Sequence, residues 1–366
     1  MAEQIKQLQN IMTPENRARR HIGNKLFQLI SNKGIDWHGV SSNPNITMDI
    51  VEANLDKRWN YNYLSLNPNI TWDIVEANLE KPWNWYELSR HPNITMDIVE
   101  ANLDKRWNYN YLSLNPNITW DIVKANPERP WDWSGLSKHP NITWEIVEAN
   151  PDKPWNWVRL SYNPNITWEI VQSNPDTDWS WHWLSRNPNI TMEIVEANPT
   201  KPWDWSVLSS NPNITWEIVE ANQEKPWDFW ALSSKPNITW AIVEKNPDKN
   251  WDWWYLSQHP IITWDIVKAN PERPWDWDCL SMNPNITIKI VKANSTLRWS
   301  YEWLSRNPTI TFDIIQKNLN KMRWFDVSMN TFELEYTTRL QQQKRRYNLI
   351  QNRKIRRKKL GKRDAQ

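Results

Sequence analysis

From Asn43 onward an Asn-Pro dipeptide followed by Asn-Ile-Thr returns every 24 residues, and the register holds for twelve units ending at residue 330. No other property of the chain constrains its fold so tightly. A period of this length means that one small supersecondary unit is stacked many times, each copy burying its apolar face against its neighbours. The Asn of the dipeptide gives way to His at His91, His139 and His259 and to Lys at Lys235. Residues 43 to 66 and 91 to 114 differ only at their first position, Asn43 against His91, so the array has grown by duplication.

Comparing units within the chain separates what the fold requires from what it tolerates. In the numbering of the first unit, Pro44, Ile46, Thr47, Ile50, Asn54, Leu64 and Ser65 do not vary until the last unit, and Trp59 varies little more. These positions predict two short capped helices. Thr47 suits a helix N-cap because its hydroxyl can accept an orphan backbone N–H. Ile46 before it and Val51 five residues on form a hydrophobic staple. An acid commonly follows two residues after the Thr (Asp49, Asp73, Glu145), where the helix dipole favours negative charge. Asn54 is placed to stop the helix, as Asn tolerates a left-handed C′ position, which leaves a first helix about seven residues long. The residue after the recurrent Trp is Asn, Asp or Ser in the intact units, as in Asn60, Asp132 and Ser180. It caps a second helix, stapled by Trp59 and Leu64 and ended by the next Asn-Pro.

Helices this short are unstable alone, so stacking must hold them. The fold class read from the sequence is therefore all-α: a right-handed-type α-solenoid of twelve 24-residue helix-turn-helix repeats with helical caps. A β-solenoid is the alternative, because Ile, Thr, Val and Trp favour strands. Against it stand capping chemistry at two registers and only five glycines to build turns. The domains are an N-terminal helix and degenerate half repeat (1–42), the array (43–330), and a C-terminal helix with a basic tail (331–366). The half repeat is legible in "IDWHGVSSNP", where Ile35 replaces the recurrent Trp.

Thirty-one tryptophans fall mostly into three series. The Trp59 series is expected to pack between units, its indole N–H bonded to a carbonyl. The aromatics just after the second cap (Tyr61, Trp85, Trp133, Trp157) share a face with the fixed Leu. The Trp72 series alternates with Met48, Met96, Met192, Ile288 and Phe312, so it requires apolar bulk rather than a flat stacking surface. Variation concentrates two, three and six residues after the second cap. A protein-binding face is expected there, with Tyr86, Arg159, Tyr162, Trp183, Trp230, Trp254 and Trp303 as candidate contacts.

No catalytic constellation is evident, and neither cofactor nor metal is implied. The single cysteine, Cys279, falls in a variable column and reads as a surface thiol. His91, His139 and His259 read as turn residues. There is no glycine-rich phosphate loop, and the chain is not expected to be an enzyme. No stretch approaches the ~20 apolar residues that span a bilayer, and the N-terminus lacks the apolar core of a secretory signal, so an intracellular location is expected. Residues 339 to 366 hold twelve Lys and Arg against one acid, which gives +11 and leaves −9 for residues 1 to 338. Lys344, Arg345, Arg346, Arg353, Lys354, Arg356, Arg357, Lys358 and Lys359 form a candidate nuclear signal or nucleic-acid-binding arm.

The stretch "PNITWEIVEANPDKPWNW" (140–157) resembles the tryptophan-repeat gene family of large DNA viruses, which includes entomopoxviruses and giant viruses of protists. The resemblance runs from residue 43 to 318 and implies a viral origin, placing the protein in host cytoplasm or nucleus; it carries no catalytic residue to transfer. Together these readings predict a non-enzymatic repeat scaffold for protein–protein interaction between virus and host, with nucleic-acid binding through the tail as the alternative.

Overall fold

The structure is a computed structural model that describes residues 13–30 and 37–363, with side chains to residue 349; Ile35 lies outside the described residues. Every regular element among the described residues is helical, so the chain is an α-solenoid and the β-solenoid alternative is excluded. The chain divides into two compact units. One comprises the residues up to Ile70 with Thr263–Lys268 and everything from Trp277; the other comprises Thr71–Ile262 and Ala269–Asp276.

Each repeat carries the two expected helices, of four to six residues, as in Trp144–Glu148 and Trp157–Leu160. The second helix is capped as its sequence demands: Asn60 accepts the N–H groups of Asn62 and Tyr63. The first helix departs from expectation. Its Thr has cap backbone geometry, yet the side chains of Thr47, Thr143 and Thr167 accept no cap hydrogen bond. The hydroxyl turns instead to the acid two residues on, bonding Asp49. In the same arrangement Thr143 holds the Glu145 carboxyl below its ordinary pKa. Only some units, such as those of Thr95 and Thr119, keep the N-cap bond.

The fixed Asn at the end of the first helix is not left-handed, since Phe332 is the one described non-glycine residue with positive φ. It works as a clamp. Asn150 Nδ2 donates back to the Ile146 carbonyl at 2.7 Å, and the Asn150 carbonyl accepts the Trp155 indole N–H at 2.8 Å. The bond recurs in the other units, for example Trp59 to Asn54 and Trp251 to Asn246. Trp155 then lies edge-on to Trp133 (5.0 Å between centroids) and tilted against Trp120 (5.8 Å), both in the preceding repeat. The recurrent Trp thus joins two repeats while satisfying its own polar atom.

A second joint carries the backbone. Asn163 Nδ2 reaches three carbonyls, that of Ser137 (2.8 Å) at the end of the unit 115–138 and those of His139 (3.1 Å) and Ile142 (3.3 Å) in the preceding repeat, while its Oδ1 accepts the Asn165 N–H. Asn165 adds bonds to the carbonyls of Pro140 and Ile142. Ser161 Oγ donates to the Trp157 carbonyl and accepts the Ser180 N–H of the following repeat. Turn carbonyls that two short helices cannot satisfy are thereby paired with the next unit, as buried backbone groups require.

In the first unit this ladder runs from the twelfth repeat into the first. Asn43 Nδ2 donates to the carbonyls of Ser328 (2.8 Å) and Asn330 (3.0 Å), and Asn45 Nδ2 to that of Thr331 (2.9 Å). Asn67 and Asn69 make the same bonds to the Ser41, Asn43 and Pro44 carbonyls. The terminal helices, Pro14–Ile30 and Glu333–Arg363, pack on each other, whereas the sequence had placed them at separate ends of the array. Two glycines permit the approach. A Cβ on Gly39 would lie 2.1 Å from Ser328 Oγ, and one on Gly23 would lie 2.0 Å from the Asn45 carbonyl oxygen. Phe332, at φ 51°, is fully buried and stacked on Phe312 at 4.2 Å. Glu335 accepts the Phe312 N–H where the repeat pattern stops.

Candidate interaction surface

Three of the sequence-predicted contacts project freely from the second helices: Tyr86 is 56% exposed, Trp230 57% and Trp254 45%. Arg159 and Tyr162 are also exposed. Trp183 and Trp303 are half-buried. Trp183 packs on Tyr162 of the preceding repeat at 5.5 Å, and Trp303 lies beneath the Arg306 guanidinium at 4.9 Å.

The difference follows from register. The position three residues after the cap faces the preceding repeat, so Tyr111 meets Tyr86 and Tyr255 meets Trp230 edge-on. A small residue in that column is covered. Gly135 and Ala231 are buried, and so is Cys279, at 1% exposure. Cys279 is therefore not the surface thiol that its variable column suggested. The column holds both environments: small Gly135, Ala231 and Cys279 are covered, whereas the longer Tyr63 and Arg159 reach solvent.

Two further features were not legible from composition. In several units a basic residue in the turn before the recurrent Trp lies over the aromatic of the preceding second helix, as Lys201 does over Trp181 (5.3 Å) and Lys225 over Trp205 (5.5 Å). The His residues replacing Asn reproduce its bonding. His139 Nε2 lies 3.1 Å from the Asn115 carbonyl, and its Nδ1 accepts the Asn141 N–H at 3.2 Å. That arrangement requires the neutral ring, protonated at Nε2. Burial lowers the pKa of His139 and of His259 below 6.5. Lys235 keeps the donor, its Nζ–H hydrogen-bonding the Asn211 carbonyl, and burial pushes its amine down to about 8. Asn, His and Lys share a side-chain N–H, and that common property is the sequence signal for the ladder.

The first helices of the third and fourth repeats flank an open groove lined by Asp97, Glu100 and Asp121. Between the terminal helices His21, Lys25, Glu335 and Arg339 line another hollow. Among the described residues no group of His, Cys, Asp and Glu is arranged to hold a metal ion, and no helix is long and apolar enough to cross a membrane. Of the basic tail, Lys344 pairs with Glu15 at 3.0 Å, and Arg345 and Arg346 are exposed on the same helix. The side chains of Arg353, Lys354, Arg356, Arg357, Lys358 and Lys359 lie outside the described residues, although their backbone continues the helix. No protein-family model, characterised protein or solved structure matches the chain.

Proposed function

We propose that this chain is a non-enzymatic scaffold that binds a protein partner through the variable positions of its second helices. The observation that supports it is a contrast within each repeat. Pro, Ile, Asn, Leu, Ser and Trp are held fixed by the joints between repeats, while Tyr86, Trp230 and Trp254 stand exposed at registers where those joints ask for nothing. Exposed aromatics on a rigid frame are the residue types that anchor protein interfaces. The resemblance to viral tryptophan-repeat proteins makes a host protein the expected partner. Affinity capture with the wild-type chain and with a Tyr86→Asn/Trp230→Ser/Trp254→Ser chain tests the reading. A reproducible partner should be lost from the variant, and a partner set indifferent to these substitutions would sink it.

The basic tail supports a second reading, nucleic-acid binding by the C-terminal helix alone. Salt-titrated binding of the full chain and of a chain with its tail arginines and lysines changed to glutamine measures it. Phosphate contacts would make affinity fall steeply with salt and vanish with the tail charges.

A further inference from the structure

We propose that the second-helix face around Trp230 and Trp254 seats cationic side chains from the C-terminal helix of a second copy of this chain. The inference rests on reading that face as an interaction surface, and it names the occupant.

The register of the repeat creates the seat. The side chain two residues after one cap reaches the cap of the next repeat: His182 Nδ1 lies 2.8 Å from Asp204 Oδ2, and Ser206 Oγ donates to Asp228 Oδ2 at 2.8 Å. One step on, the residue is Trp230, which makes no such hydrogen bond to the Asp252 cap among the described residues. Among the described residues the Asp252 carboxylate accepts only the Tyr255 N–H, at 2.9 Å. Tyr255 is held edge-on between Trp230 (5.0 Å) and Trp254 (4.8 Å), and both indoles stay exposed. An under-used carboxylate beside exposed indole faces is a seat for a guanidinium or an ammonium, through charge-assisted hydrogen bonding and cation–π attraction together.

The surroundings select for positive charge. None of the nine variable positions from Ser206 to Gln258 is Lys or Arg, and residues 71 to 262 carry 26 acids against 15 Lys and Arg. The chain itself supplies the complement. Residues 339 to 366 carry +11, and the helix continues to Arg363, past the Lys344–Glu15 pair that ends its described contact with the N-terminal helix. The 19 residues beyond Lys344 span about 28 Å at 1.5 Å per residue. One continuous helix thus carries several cations toward a partner of opposite charge.

Sedimentation velocity on the full chain, at about 50 and about 200 mM salt, tests the proposal. Two substitutions borrow residues that other repeats already use at the same registers: Trp230→Ser, as in Ser206, and Asp252→Asn, as in Asn156. A tail variant replaces Arg353, Lys354, Arg356 and Arg357 with Gln. The wild-type chain should self-associate reversibly at low salt, each single substitution should weaken association about five-fold, and high salt or the tail variant should abolish it. Mixing a Trp230→Ser/Asp252→Asn chain, which keeps its tail, with the tail variant, which keeps its face, should restore association. A chain that stays monomeric at low salt, or association that Trp230→Ser and Asp252→Asn leave intact, would overturn the proposal. A monomeric chain that still loses a captured partner on Trp230→Ser would retain the interaction face and reject only this occupant.

Discussion

Asn163 concentrates four hydrogen bonds in one side chain, three donated to carbonyls 21 to 26 residues earlier and one accepted from its own turn. Replacing it with Ala strips the Ser137 carbonyl and the Asn165 N–H of their partners, each costing about 1–3 kcal/mol, while the His139 and Ile142 carbonyls keep one bond each. Asn163→Ala should therefore lose about 3–5 kcal/mol in urea unfolding. Asn163→His should lose far less, because His139 performs the same bonding one repeat earlier. Lys gives the donor without the acceptor and leaves a charge where Asn is neutral. With the Lys235 amine at about 8 against 10.5, its burial costs about 3 kcal/mol at neutral pH. Lys235→Asn should stabilise the chain by about that amount at pH 7 and by progressively less as pH rises from about 8 toward 10.5. The histidines act at the acid end. Above 6.5 their neutral form prevails in folded and unfolded chains alike. As pH falls through 6.5 the unfolded chain takes up protons that His139 and His259 resist, so stability declines, levelling off only below their lowered folded values. Thermal melts from pH 7.5 to 5 should show this slope, and a His139→Asn/His259→Asn chain should flatten it. These roles were only half legible in the sequence. The substitution set Asn, His and Lys was visible, but its acceptors are carbonyls a whole period away, and a perfect repeat hides which copy a donor serves.

At the scale of the helix, the second cap and both staples could be read directly because their chemistry is local. Asn60 bonds within three residues, and Ile46, Val51 and Leu64 are buried as the spacing requires. The end of the first helix was misread for the same reason in reverse. Asn54 looks like a left-handed terminator, while its carbonyl is held by an indole five residues on, in a turn whose shape no propensity encodes. The two joints around Asn150 are separable by mutation. Trp155→Phe keeps most of the ring packing against Trp133 but removes the donor to the Asn150 carbonyl. It should cost about 1–3 kcal/mol. Trp155→Ala, which also opens a void between two repeats, should cost about 3–5 kcal/mol. Urea unfolding of the two variants measures the difference. If Phe were as damaging as Ala, the hydrogen bond and not the packing would hold the turn. The Cys279 column shows the limit of reading exposure from variety: one column holds buried Gly135, Ala231 and Cys279 beside exposed Arg159.

At the scale of the molecule, each repeat of a linear array borrows stability from its neighbours, and terminal repeats lack one of them. Here Asn43 of the first repeat donates to the twelfth the bonds that Asn67 donates to Ser41 and Asn43. Periodicity alone could not reveal this, since the bonds between Asn43 and residues 328–330 use the same register as any adjacent pair. The clue was the half repeat at the N-terminus: its helix Trp37–Ser42 has no repeat before it in sequence, and it packs beside Trp324–Met329. Gly39 makes that contact possible, and a methyl group there would sit 2.1 Å from Ser328 Oγ and 2.9 Å from Met329 Cγ. Gly39→Ala should therefore push the first and last repeats apart while leaving the joints around Asn163 unaffected. In hydrogen exchange, the amides of Asn43 to Ile46 and Asn330 to Phe332 should lose protection, whereas those of the central repeats should keep theirs. Asn43→Ala reaches the same joint by removing donors instead of adding bulk. If both variants left the terminal amides as protected as in the wild type, the first and last repeats would be held by their terminal helices and not by the ladder.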